Sequence, residues 1–261
     1  MRALSIAATG MSAQQMRVEV ISNNLANMNT TAYNPRRAEF ADLGYQQLTR
    51  PGAITATSGT MVPTGVQVGL GVRPTAVSMN INQGSLAQTG GDLDLAIDGK
   101  GYFEVTMPNG SSAYTRDGSF KRSGEGQIVT SQGYPLVPDI TIPPDAKSIK
   151  ISTTGEVYAS FADRPAPELL GQITLTSFTN EKGLEAMGDN LFAETAASGS
   201  PITDQAGNAG MGLIQQGYLE NSSVDAVRQI TDLIEAQRGY ELNAKVITAA
   251  DQMLAATTQI R

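Results

Sequence analysis

The chain has 261 residues, enough for two ordinary cores or for one core with extended assembly segments. Its net charge is −7 and its densest basic feature is the pair Arg36 and Arg37, so neither nucleic acid nor an anionic membrane is expected as a partner. With no His and no Cys, it cannot build a Ser-His-Asp or Cys-His site, a standard structural zinc site, an iron–sulfur cluster or a His-ligated haem. No apolar run approaches the ~20 residues of a membrane span, and the segment Met1–Gly10 lacks the apolar core of a secretory signal, so neither membrane insertion nor the general secretory route is expected.

The first element predicted is a helix from Ala3 to about Met28, with Leu4, Met11, Val18 and Leu25 spaced by seven. A second row, Ala7, Gln14, Ile21 and Met28, flanks it. A period of seven keeps one narrow face apolar along the helix, and such a seam is buried by another helix rather than by a broad globular core. The helix runs into Asn23, Asn24 and Asn27, whose short polar side chains compete for backbone hydrogen bonds, and Pro35 forbids easy continuation.

Between Gly44 and Pro74 prolines and glycines exclude a helix. There Val66, Val68, Leu70 and Val72 alternate with Gln67, Gly69 and Gly71, a strand period with one nearly bare side. The segment from Gln46 through Pro51 and Pro63 to Val72 is read as an extended arm that another backbone or subunit can approach closely.

From about Gly91 to Gly212 the chain reads as short strands and turns. Leu93, Leu95 and Ile97 alternate with Asp92, Asp94 and Ala96, and Phe103, Val105 and Met107 with Glu104 and Thr106. Pro108-Asn109-Gly110-Ser111 predicts a hairpin returning at Tyr114 and Thr115. Further strands are expected around Ile128–Val129, Ile149–Ile151, Val157–Phe161 and Ile173–Leu175. The last helix is expected to start at Asn221-Ser222-Ser223 and run to about Gln259. Its main row is Leu233, Tyr240, Ile247 and Leu254, and beside it lies Val246, Met253 and Ile260. Two adjacent rows point to more than one neighbour. Helices of this kind also pack on their own domain; the strict spacing at both ends favours partners beyond it.

Candidate chemical motifs dissolve on inspection. Asp92, Asp94, Asp98 and Gly99 imitate a calcium loop, but Ala96 and Phe103 stand where ligands are needed. Gly99-Lys100-Gly101 lacks the rest of a phosphate loop. Arg116-Asp117-Gly118-Ser119 shows no partner acid and reads as a turn. No catalytic residue, cofactor or metal ligand is assigned.

Longer stretches carry a resemblance. Ser22-Asn23-Asn24-Leu25-Ala26-Asn27 followed by Thr30-Thr31-Ala32-Tyr33 resembles the N-terminal signature of the bacterial flagellar axial proteins, the rod and hook subunits. Gln216 through Val224, continuing through Ile234 to Asn243 and Asp251 to Leu254, resembles their C-terminal signature. Ala96 to Phe103 and Tyr114 to Phe120 are similar to the family's central blocks, and the length and the arm look most like distal rod members. Ala32 stands where the family often has Gly. The resemblance implies a non-catalytic subunit exported through the flagellar type III apparatus. It further implies assembly into a helical tube of identical copies that crosses the periplasm inside basal-body rings and joins proximal rod to hook-side axial proteins. Hook or proximal rod subunits are the nearest alternatives, and a secreted oligomeric adhesin a more distant one. The expected fold is mixed: residues 1–35 and 216–261 form a coiled-coil-like helical assembly domain, 36–90 an arm and connecting β segment, and 91–215 an all-β domain. The self-assembly interface is assigned to the two helical seams together with Asn23, Asn24 and Asn27.

Overall fold

The computed structural model describes residues 2–50, 64–164, 166–208 and 210–259, with side chains described as far as Ala256. Pro51, Pro63 and Ile260 lie outside the described residues. The fold is mixed, with a helix near each end of the chain and many short strands between them. Two compact units emerge, one of residues 1–26, 36–79 and 225–261, the other of residues 27–35 and 80–224. The arm therefore groups with the helices, while the segments that lead out of α1 and into α2 group with the β structure.

In the first unit, α1 spans Arg2–Ala26 and α2 spans Ala226–Gln259. The seven-residue rows are what make both helices: each supplies a continuous apolar face without an internal proline. α2 starts later than Ser223. Asp225 caps it instead, its Oδ1 accepting the backbone N–H groups of Val227 (3.0 Å) and Arg228 (3.2 Å), donors that the first helical turn leaves without partners.

The arm is a two-stranded antiparallel ribbon. β1 (Arg36–Asp42) pairs with β4 (Val72–Met79), and β2 (Tyr45–Thr49) with β3 (Val66–Gly69). The Val66–Val72 alternation is thus not one strand. It breaks at Leu70 and Gly71, where Gly71 adopts φ +120° and its carbonyl accepts Leu43 N–H at 2.8 Å. A Cβ there would lie 2.2 Å from Thr9 Oγ1 on α1, so the ribbon turns against the helix at the one residue type that fits.

The second unit has its own core. Ile97, Phe103, Val105, Ile142, Val157 and Leu175 are fully buried in one cluster, and Tyr102, Tyr114 and Phe178 form a smaller one with edge-to-face ring contacts. The expected hairpin is present, Phe103–Thr106 pairing with Ser112–Thr115. Its turn places only Gly110 at positive φ (80°), and Met107 N–H closes it on Ser111 O. Asn109 contributes through its side chain, which accepts Ser111 N–H at 3.0 Å. Outer strands such as Glu168–Gln172 and Glu185–Gly188 extend these sheets. They were not anticipated, because their sequences lack a clean apolar alternation.

The Arg116-Asp117-Gly118-Ser119 motif does form a turn, Asp117 Oδ1 accepting Ser119 N–H at 3.0 Å. A Cβ on Gly118 would fall 1.6 Å from Leu95 O, so only glycine lets the turn lie against that strand. Arg116, however, has the acidic partner that its sequence neighbourhood does not reveal: Glu220, 2.8 Å away and as deeply buried as the arginine.

Candidate assembly interface

α1 and α2 lie side by side in the first unit, and their contacts run in opposite chain order. Asn24 meets Gln229, Arg17 meets Asp232 and Glu235, Gln14 meets Gly239, and Gly10 meets Asn243. The pair is therefore antiparallel. Many of the buried positions of the two helices are small, Ala7 and Ala13 on α1 and Ala236 and Ala250 on α2, with Ile21 and Asn24 of α1 buried beside them. Two glycines sit opposite side-chain amides, a Cβ on Gly10 falling 3.0 Å from Asn243 Nδ2 and one on Gly239 falling 3.1 Å from the Gln14 side chain. Small residues let the backbones approach closely, and the Asn24–Gln229 amide pair helps to fix the register. The half-exposed ion pairs of Arg17 (3.4 and 3.6 Å) add little by comparison.

The rows of large apolar residues flank this contact. Leu4, Met11, Val18 and Leu25 are half-buried, as are Leu233 and Ile247, while Tyr240, Val246, Met253 and Leu254 are exposed. On α1 the row Ala7, Gln14, Ile21 is the deeper one, and Met28 falls beyond the helix and is exposed. On α2 the deeper row is Gln229, Ala236, Asn243 and Ala250. These residues also recur every seven positions, a signal that was available in the sequence but is carried by small and polar side chains, which hydrophobicity alone passes over.

α2 also exposes Val227 (76%), Leu242 (62%) and Met253 (66%), together with Ile230 and Ile234. Scattered exposed leucines are ordinary; so many on one helix form an apolar surface of the kind that marks an interaction site.

The asparagines part company. Asn23 is exposed and Asn27 half-buried, but Asn24 is only 1% exposed. Its Nδ2 donates to Arg36 O (2.8 Å) and to Gln229 Oε1 (3.0 Å), and its Oδ1 accepts Arg36 N–H (2.8 Å). One amide thereby joins α1, β1 and α2, pairing with the Arg36 backbone as a neighbouring strand would. On the ribbon, Gln46, Val66 and Leu70 are exposed, and Val68 and Val72 half-buried. Val72 N–H lies 3.4 Å from Thr9 Oγ1.

No cluster of metal-ligating side chains occurs among the described residues. No described helix is long and apolar enough to cross a membrane.

Family models match three stretches of this chain. Residues 4–33 match that of the flagella basal body rod protein, 96–159 the flagellar hook protein FlgE/F/G D1 domain, and 215–260 the flagellar basal body rod FlgEFG protein C-terminal. The flagellar basal-body rod protein FlgG of Caulobacter vibrioides is 53% identical over 261 residues, covering 100% of both chains. That of Agrobacterium fabrum is 49% identical over 253 residues, covering 97% of each. Among solved structures, the flagellar hook protein FlgE2 of Helicobacter pylori covers 72% of this chain and 43% of its own at 14% identity. Its TM-score is 0.25, a likeness too slight to inform the fold. With identity at this level across its whole length, the chain belongs to the FlgG family of flagellar basal-body rod proteins.

Proposed function

We propose that this chain is a structural, non-catalytic subunit of the distal flagellar rod, self-associating into a stiff helical tube that carries torque from motor to hook. The observation that carries this reading is the surplus of exposed large apolar side chains on α2, among them Val227, Ile230, Ile234, Leu242 and Val246. The exposed side chains of Val227, Ile230, Ile234 and Leu242 give α2 an apolar surface that packing between copies would cover. Family membership supports the basal body as location. The rings around the rod, the proximal rod, the hook-side proteins and the export apparatus follow as partners from the resemblance.

Electron microscopy of the purified protein at high concentration tests this: tubes are expected, and discrete trimers would overturn it. Ile247→Asp should abolish the tubes while leaving circular dichroism of the β unit intact. A carboxylate buried without a partner in a helix seam costs on the order of several kcal/mol, and the core around Phe103 and Val157 does not include Ile247.

A further inference from the structure

The contacts between α1 and α2 keep step with one another. Gly10 meets Asn243, then Gln14 meets Gly239, then Asn24 meets Gln229, each advance along α1 matched by an equal retreat along α2. One arrangement occurs twice within this pair. Each helix carries a glycine and, one turn later, an amide: Gly10 and Gln14 on α1, Gly239 and Asn243 on α2. Each amide lies against the other helix's glycine. A Cβ on Gly10 would fall 3.0 Å from Asn243 Nδ2, and one on Gly239 would fall 3.1 Å from Gln14 Cδ.

The two amides differ in what holds them. Asn243 Nδ2 donates to Gly239 O of its own helix at 3.0 Å, which ties that side chain down along α2. Gln14 sits at a cost, because its Oε1 is buried and has no hydrogen-bond partner among the described residues. An apolar side chain would avoid that cost. A polar group in a helix seam selects one register at the expense of stability.

This helix pair needs such a selection. Its deeper rows, Ala7, Gln14 and Ile21 on α1 and Gln229, Ala236, Asn243 and Ala250 on α2, both recur every seven residues. A slip of seven therefore stacks the same rows again. In one direction it brings Gln14 level with Val246 and Asn243 level with Arg17; in the other, Gln14 with Asp232 and Asn243 with Ala3. All four carry a Cβ where the observed register has none, so a slipped pair must stand further apart. The remaining contacts discriminate less. Asn24 keeps its bonds to the Arg36 backbone whichever residue of α2 faces it, and the Arg17 ion pairs are half-exposed.

We infer that Gly10, Gln14, Gly239 and Asn243 form a reciprocal lock that holds the helix pair against slips of seven residues. They are positioning residues. The exposed apolar side chains of α2, Val227 and Leu242 among them, ride on that helix, so the lock sets where along α1 they stand.

Electron–electron double resonance on the full-length protein tests the lock. The chain has no cysteine, so Ser5→Cys and Arg228→Cys, both at exposed positions, supply two unique sites for spin labels. In the observed register these positions stand roughly 30 Å apart along the pair, and a slip of seven changes that by about 10 Å. Splaying of the helices is sideways and changes it far less. Gly239→Gln sets two glutamines against each other and should add a population displaced by about 10 Å. Exchanging the residues, Gln14→Gly with Gly239→Gln, restores one amide against one glycine and should return the single parental distance. Absence of the displaced population in Gly239→Gln, whether the parental distance is kept or every defined distance is lost, would overturn the lock. So would a displaced population that persists in the exchanged variant.

Discussion

Ala32 holds φ at +55°, a left-handed conformation that costs an L-residue with a Cβ roughly 1–2 kcal/mol. It is 8% exposed, and its N–H is committed to Glu220. Glycine adopts the same backbone without that strain, at an entropic cost of about 0.5–1 kcal/mol, so Ala32→Gly is expected to raise stability by about 0.5–1 kcal/mol, read as a higher urea midpoint with unchanged slope. A loss of stability would show that the methyl group's packing outweighs the strain. The family's usual glycine at this position had marked the site in the sequence, but only the backbone angle supplies the physical reason. Two phenols give the β unit a second residue-scale signature. Burial first, and then the charge of Glu181, hold the Tyr102 hydroxyl well above its ordinary range, and burial with the charge of Glu104 pushes Tyr114 up to about 12. The unfolded chain releases both protons near pH 10 while the folded one keeps them. Stability is therefore full below about pH 10 and declines as pH climbs toward 12, by up to about 1.4 kcal/mol per pH unit for each phenol. Urea unfolding at successive alkaline pH values should show that decline, and Tyr102→Phe should make it shallower; an identical slope in the variant would exclude Tyr102 as a source.

At the scale of elements, the antiparallel helix pair is governed by its smallest residues. Gly239→Ala gains about 0.5–1 kcal/mol of helix propensity and crowds the Gln14 side chain, a flexible group able to yield, so the two effects should nearly cancel. Gly239→Leu has no such escape and is expected to cost about 1–3 kcal/mol by forcing the backbones apart; thermal unfolding of the two variants should separate them clearly, and equal midpoints would mean the helices are not in contact there. Both helices were legible in the sequence because a seven-residue period is local information. What was not legible was which row faces inward. Large residues such as Leu4 and Tyr240 advertise burial by hydrophobicity, whereas Ala236 and Asn243 owe theirs to closeness of approach, which depends on the other helix. The same reason hid the ribbon's partners and the Arg116–Glu220 pair, whose members stand 104 residues apart and leave no trace in each other's neighbourhood.

At the scale of the whole molecule, the arm carries apolar side chains on its surface. Its Tyr45, Leu48 and Val66 are exposed and lie on a two-stranded ribbon. If the ribbon braces adjoining copies against sliding, deleting Gln46 through Val72 should yield filaments with a shorter persistence length in electron micrographs, and filaments as straight as the parent would place stiffness elsewhere. The division of the chain has one more result. It passes between the two units four times, and the first unit closes through contacts such as Asn24 with Gln229 and Arg17 with Asp232, 205 and 215 residues apart. Loop closure over such distances is slow and comes after local structure has formed. α1 therefore stays without its partner helix until α2 has been made, and no chain lacking α2, however well its β unit folds, can complete the first unit.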